Sequence, residues 1–236
     1  MKILVCGSHG RMGQFIISLA SQYGCEVIGE MNRESNFEAE LSKNPDVCLD
    51  FSSPDALIKL CSIAEKYKTK IVSGTTGLSD EQERRVTLSA ENFPILYGTN
   101  FSIGIFILNK LVKAAAKSLP TSFDIEIIEA HHSQKKDAPS GTAMTLLKAI
   151  QGERQCVENF GRHGECKRSI GEIGLHSVRG GDIVGDHEVL FAGQGERLEL
   201  IHRATNREVF ARGALYAAQK FVAINRPGLY TLDDVL

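Results

Sequence analysis

No apolar run in this chain reaches the ~18 residues that a membrane-crossing helix needs, so a membrane-embedded role is not expected. Neither sign of charge is in excess. Against 27 Lys and Arg stand 29 Asp and Glu, a net charge of -2, which gives no general field for nucleic acid or an anionic lipid surface. The six cysteines, at positions 6, 25, 48, 61, 156 and 166, form no CxxC pair. The first four lie in apolar stretches, as reduced core thiols of a cytosolic protein do. Cys156, His163 and Cys166 are near one another in sequence, but their spacing fits no zinc pattern and a fourth ligand is missing, so no metal is expected. There is no internal repeat or low-complexity segment. The opening MKILVCGSHG has one lysine and an apolar run too short for a secretory leader. It reads as the first strand of a cytoplasmic protein.

What is present is ordinary globular composition, 42% hydrophobic and 24% charged over 236 residues. That is enough for one large domain or two small ones. Short apolar strands alternate with helical segments through the first hundred residues. Strands are predicted at 2–6, 26–30, 46–51, 70–73 and 94–97, and helices at 11–23, 54–67 and 79–90, with Pro54 in a first turn and Ser79 as an N-cap. This alternation argues a parallel, doubly wound sheet. The pattern then changes: a long helix over 102–119, a strand over 123–129, a helix over 141–151 and a polar loop over 152–168. Strands follow at 169–178, 187–192 and 196–204, then a helix over 207–223 and a tail that packs back on the protein. The expected architecture is α/β: a Rossmann-like doubly wound sheet plus a second α+β lobe with a mixed or antiparallel sheet. Residues 1–102, completed by 212–236, would form the first lobe and 103–211 the second.

The first strand runs into GSHGRMG and then a helix. Gly7 permits a tight turn, Gly10 lets backbone approach a pyrophosphate, and Gly13 lets the helix pack close. The helix N-terminus then offers N–H groups to phosphate, with Arg11 within reach of it. Glu30, at the end of the second strand and 20 positions after Gly10, stands where a ribose hydroxyl is expected. Arg33 nearby is suited to a 2′-phosphate, so both NADH and NADPH are expected to be usable. SGTTG and GTNFS follow the fourth and fifth strands, at the sheet edge where such sheets bind ligands.

The second lobe carries IEAHHSQKKDAPSGTA, residues 128–143. Ser140 is placed to cap a helix whose first N–H groups, at Gly141 and Thr142, make an anion site. His131, His132, Lys135 and Lys136 flank it. Together they suit a small dicarboxylate and supply proton donors. Read alone, the stretch leaves a solvated basic loop before a capped helix as the competing reading. A cofactor loop in the same chain favours the substrate pocket.

These motifs, with DFSSP at 50–54, GTNFSIG at 98–104 and RGGDIVGDHEVLF at 179–191, resemble the 4-hydroxy-tetrahydrodipicolinate reductase (dihydrodipicolinate reductase) family along essentially the whole chain. The resemblance implies an NAD(P)H-dependent oxidoreductase of lysine and diaminopimelate biosynthesis. It implies catalytic proton-exchanging roles for His131 and Lys135, and substrate carboxylate contacts at His132, Gly141 and Thr142 beside Ser140. It implies cofactor contacts at Gly7, Ser8, His9, Gly10, Arg11, Met12, Glu30, Gly74, Thr75, Thr76, Gly98, Thr99, Asn100 and Phe101. It also implies a homotetramer built on the second lobe's sheet. In the implied chemistry His131 and Lys135 act as cations.

The chain departs from the family pattern in places. Ser133 and Gln134 stand where many members carry Arg and His, His9 replaces a small residue, and the stretch between Glu30 and Asp46 is short. Two other readings compete: a dehydrogenase for another amino dicarboxylate, and a non-catalytic nucleotide sensor. The sensor is disfavoured because His131 and Lys135 are both kept.

Overall fold

The computed structural model describes residues 1–236. The chain forms two compact units, one of Met1–Ser102 with Glu208–Leu236 and the other of Ile103–Arg207.

The first unit is built on six parallel strands in the order β11-β5-β4-β3-β1-β2. These are β1 (Lys2–Cys6), β2 (Glu26–Met31), β3 (Val47–Asp50), β4 (Lys70–Ser73), β5 (Pro94–Tyr97) and β11 (Gly228–Tyr230). All four residues of β3 are buried, as expected of a central strand covered on both faces. On one face α2 (Phe37–Leu41), α3 (Pro54–Tyr67) and α4 (Asp80–Ala90) close a core through Phe37, Leu41, Leu57, Leu60, Ala64 and Val86. α3 starts sharply because the Ser53 hydroxyl accepts the Ala56 N–H and Pro54 fills the first turn. α4 starts on a Ser79/Gln82 capping box. α1 (Arg11–Leu19) packs against α7 (Glu208–Phe221), whose Ala211, Ala214, Ala217 and Ala218 are all buried. Small side chains let the two helices approach closely.

Short elements depart from the expected series, a four-residue helix at Leu232–Val235 in the tail among them. α2 lies between β2 and β3, where no helix is expected. It exists because Asn36 caps the Glu38 and Ala39 N–H groups and Phe37 and Leu41 bury one turn apart. β11 turns the packed tail into an edge strand beside β5. The 152–168 stretch contains β7 (Val157–Asn159), which pairs with β8 (Glu172–Arg179).

The second unit has a mixed sheet in the order β10-β9-β6-β8-β7. β6 (Asp124–His131) runs parallel to β8 and antiparallel to β9 (Gly185–Gly193), which pairs with β10 (Glu196–Ala204). β6 extends two residues beyond its predicted end because its ladder with β8 continues to His131 opposite Arg179. α5 (Ile103–Ser118) and α6 (Gly141–Gln151) cover one face, around Leu108, Val112, Leu146, Leu147, Ile127 and Phe191. On the other face Glu126 receives Arg162 at 2.9 Å, His176 at 2.7 Å and Arg168. Arg168 also pairs with Asp124 at 2.8 Å. These ion pairs tie the 157–171 segment to the sheet, and they bring the Glu126 carboxyl below its ordinary value against the upward push of burial.

Candidate active site

In the first unit, the carboxyl ends of β1, β2 and β3 open a cleft of about 400 Å³. Gly7, His9, Gly10, Asn32, Arg33 and Ser52 are among its lining residues. Gly7 has φ +83, and a Cβ there would lie 2.4 Å from the Phe51 carbonyl oxygen, so no other residue fits. A Cβ at Gly13 would meet the Gly7 oxygen at 2.3 Å. This third glycine therefore lets α1 close against the loop itself. Gly10 is the N-cap of α1 and brings no side-chain cap, so the first-turn N–H groups remain offered to a ligand. Ser8 is fully buried and its hydroxyl has no protein partner. The glycine cradle, the uncapped helix start and Arg33 on the rim fit a dinucleotide.

The loops after β3 and β4 are held by one carboxylate. Asp50 is fully buried and accepts hydrogen bonds from Ser73 Oγ at 2.7 Å, Thr75 Oγ1 at 2.7 Å and Ser52 Oγ. Thr75 Oγ1 in turn accepts the Ser52 N–H at 3.0 Å. Burial pushes the Asp50 carboxyl up, only partly offset by the three hydroxyls. Gly74 is required beside it, because a Cβ there would lie 2.1 Å from the Phe51 ring. Phe51 stacks edge-to-face on Phe101 at 5.7 Å, which carries the order of these loops to the one after β5.

The second unit holds a denser constellation at the end of β6. Ile125, Ile127, Glu129 and His131 alternate inward on one face, so the apolar core column ends in an acid and an imidazole. Glu129 is 1% exposed. It receives a two-pronged Arg179 guanidinium at 2.7 and 2.8 Å, His131 Nδ1 at 2.6 Å and the Ser140 N–H at 3.0 Å. Burial alone would raise this carboxyl, but Arg179, His131 and Ser177 outweigh it and bring it to about 2. Arg179 also donates to the Asp137 carbonyl at 2.6 Å, which pins the basic loop. Lys135 sits in that loop, paired with Asp137 at 2.9 Å.

Ser140 caps α6 as expected, accepting the Ala143 N–H at 3.1 Å. Its hydroxyl also lies 3.0 Å from His187 Nε2. Burial lowers the His187 pKa to about 4, so this ring is neutral at physiological pH and shares one hydrogen bond with the Ser140 hydroxyl. His131 packs edge-to-face on His187 at 5.1 Å. Burial lowers His131 as well, with Lys135 and Arg179 adding to the effect and Glu129 opposing it. The pocket thus disfavours the cationic His131 of the expected chemistry, because desolvation exceeds the pull of its carboxylate partner.

The predicted site residues divide between the units. Gly7, Ser8, His9, Gly10, Arg11 and Met12 form the loop and helix start of the first cleft. Glu30 is exposed on β2 and does not line that cleft, whereas Asn32, Arg33 and Glu34 do. Thr75 is buried and committed to Asp50, while Thr76 and Thr99 are exposed. Asn100 turns its side chain onto the Ser102 N–H at 2.9 Å, and Phe101 is buried. His131 and Ser140 meet at Glu129, Lys135 lies in the adjoining loop on Asp137, and His132 and Thr142 are half-buried and Gly141 exposed at the same loop and helix start. Asp50, Glu129, Arg179 and His187 fall inside motifs quoted from the sequence but were given no role there. Glu129 had a readable signal, since it occupies the inward phase of an alternating strand.

Two family models match the chain, "Dihydrodipicolinate reductase, N-terminus" over residues 1–101 and "Dihydrodipicolinate reductase, C-terminus" over residues 104–236. A 4-hydroxy-tetrahydrodipicolinate reductase of Alkaliphilus oremlandii is 43% identical over 240 residues, covering 100% of this chain and 98% of that protein. The enzyme of that name from Archaeoglobus fulgidus is 38% identical over 260 residues, covering 100% of both. Among solved structures, a dipicolinate-bound dihydrodipicolinate reductase from a Paenisporosarcina species superposes with a TM-score of 0.84 at 28% identity, covering 100% of this chain and 99% of that one. An amine dehydrogenase from Mycobacterium smegmatis, at 11% identity and a TM-score of 0.63, shares the fold over 100% of this chain and 96% of that one. With its glycine-loop unit and its His131–Lys135 unit both matched end to end, the chain belongs to the dihydrodipicolinate reductase family.

Proposed function

We propose that this protein reduces 4-hydroxy-tetrahydrodipicolinate to tetrahydrodipicolinate with NADH or NADPH, a step of lysine and diaminopimelate biosynthesis. The observation that carries this reading is the loop of His131 and Lys135 beside the Ser140-capped start of α6, in a chain similar along its length to reductases of that name. In the balanced reaction, substrate, NAD(P)H and one proton give product, NAD(P)+ and water.

Gly7, Ser8, His9, Gly10, Arg11 and Met12 would hold the cofactor's phosphates. Gly74, Thr75, Thr76, Gly98, Thr99, Asn100 and Phe101 shape the neighbouring strand ends. Bound reduced nicotinamide supplies the hydride. Arg33 and Asn32 on the cleft rim, near Glu30, favour acceptance of either a 2′-phosphate or a free ribose hydroxyl. In the second unit, His132, the Ser140 cap and the N–H groups of Gly141 and Thr142 hold the substrate's carboxylates. Lys135 and His131 offset charge that develops on the ring and return the proton. An incoming dianion opposes the downward shift of His131, so substrate binding itself favours proton uptake by the imidazole.

No helix is long and apolar enough to cross a membrane, which accords with a cytoplasmic enzyme. Val178 and Ile201, exposed on the outer face of the second sheet, support assembly as a homotetramer through that sheet.

A coupled assay tests the reading. Substrate is generated from pyruvate and aspartate semialdehyde by its synthase, and loss of reduced-nicotinamide absorbance is followed with each cofactor. Turnover by the wild type with large losses in His131→Gln and Lys135→Ala is expected. Absence of turnover with both cofactors, despite cofactor binding, would sink the substrate assignment.

A further inference from the structure

We propose that Glu129 is a positioning residue for the reaction. It fixes His131 as the Nδ1–H tautomer, leaves Nε2 as the atom that exchanges a proton with substrate, and ties this ring to the start of the anion-binding helix. The proposal rests on the reductase reading of the site and adds a residue that contacts neither substrate nor cofactor.

The geometry argues it atom by atom. An ionised carboxylate only accepts hydrogen bonds. With Glu129 Oε2 at 2.6 Å, His131 Nδ1 must therefore carry a proton. Neutral imidazole holds one N–H, so Nε2 is bare and ready to accept. The Nε2 edge lies beside Gly185, where a Cβ would come within 3.1 Å of it. A glycine there leaves that edge uncrowded. The groups facing His131 are Glu129 on its own strand, Arg179 from β8, His187 from β9 and Lys135 from the loop. Among these only Glu129 accepts a hydrogen bond from the ring.

The same carboxylate organises the rest of the pocket. Oε1 accepts from Arg179 at 2.7 Å and from the Ser140 N–H at 3.0 Å, while Oε2 accepts from Arg179 at 2.8 Å and from His131. These four donors, with the Ser177 hydroxyl beside them, converge on two oxygens. The residue that holds the imidazole also holds the N-cap of α6, so proton donor and carboxylate site share one anchor.

This pattern predicts what Glu129→Gln does. Glutamine has one oxygen and one NH2. With its oxygen in the Oε1 place it satisfies Arg179 and Ser140, and its NH2 opposes one Arg179 N–H and faces His131. With the orientation reversed, its NH2 opposes both Arg179 and Ser140. The first orientation has the smaller conflict. In it the amide donates to His131 Nδ1, and the ring's proton moves to Nε2.

The test is 15N NMR of histidine-labelled protein, with His131 assigned by its loss in His131→Gln, alongside kcat and KM over a pH series. The wild type should show a protonated Nδ1 and an unprotonated Nε2. Glu129→Gln should show the reverse, with kcat down by about 10²-fold or more and KM for the reduced cofactor unchanged. Glu129→Asp should keep the Nδ1–H form and recover part of kcat. A wild-type Nε2–H tautomer overturns the proposal whether or not any variant folds. So does a glutamine variant that keeps kcat in an active enzyme. If the tautomer switches as expected but the wild type reduces no substrate, the positioning role stands and the reductase reading fails.

Discussion

Each unit buries one carboxylate near the carboxyl end of a strand, and the two are treated in opposite ways. Asp50 ends β3 among three hydroxyls and no cation, and burial pushes its carboxyl up. Glu129, on β6, is gripped by a guanidinium, an imidazole and a backbone N–H, and is held at about 2. Neutral donors only partly offset desolvation, whereas a two-pronged charged donor exceeds it. The difference matches the tasks of the two regions. Asp50 gathers loops around a cofactor cleft and needs no charge for that. Glu129 orients a proton-transfer residue and needs to stay ionised.

The sharpest way to separate the two regions is to remove their chemistry. Lys135→Ala should lower kcat by about 10² to 10⁴-fold, the usual worth of a general acid, with dinucleotide affinity unchanged. Steady-state kinetics and cofactor titration check both halves. Arg179→Ala should cost stability by roughly 3–5 kcal/mol, because it strands Glu129 buried beside a weaker partner. Urea denaturation reads this directly.

On the other side, Thr75→Val removes a hydroxyl that donates to Asp50 and accepts from Ser52 N–H. A cost of about 1–3 kcal/mol is expected, together with a raised KM for cofactor and a nearly unchanged kcat. A larger effect on kcat than on KM would break the division of labour.

The pH dependence of stability differs in sign between the sites. Glu129 is lowered when folded, so its stabilisation is present above the usual carboxylate range and is lost as pH falls toward about 2. Its full size is on the order of 3 kcal/mol. Asp50 is raised when folded, so its contribution is largest in acid and is lost as pH climbs from the usual carboxylate value through its own. Denaturation of Glu129→Gln and Asp50→Asn at pH 7, 4.5 and 3 should show the glutamine variant losing its deficit in acid. The asparagine variant should compare best with wild type at neutral pH.

The parallel sheet was legible because its strands are apolar runs between capped helices, with Pro54 and Ser79 marking helix starts. β7, β11 and α2 were not, since they run only three, three and five residues and exist through pairing or packing with distant segments. In the site, the His131–Lys135 loop could be read from residue types in a row. The role of Glu129 was harder to read, although its inward phase shows, because its two-pronged partner Arg179 comes from β8, far along the chain. Asp50 was hidden because a carboxylate ending an apolar strand looks solvent-facing until the loops beyond it fold over. His131 shows the limit of reading charge from type: its environment, not its identity, sets its protonation.

Asp50 and Glu129 lie on opposite sides of the ordinary carboxylate range. Carbon-13 NMR of selectively labelled aspartate and glutamate, followed from pH 7 downward, measures this. Asp50 is expected to take up its proton first, above the usual aspartate value, while Glu129 stays ionised until the protein nears pH 2 or unfolds. Protonation of Glu129 before Asp50 in the folded protein would contradict it.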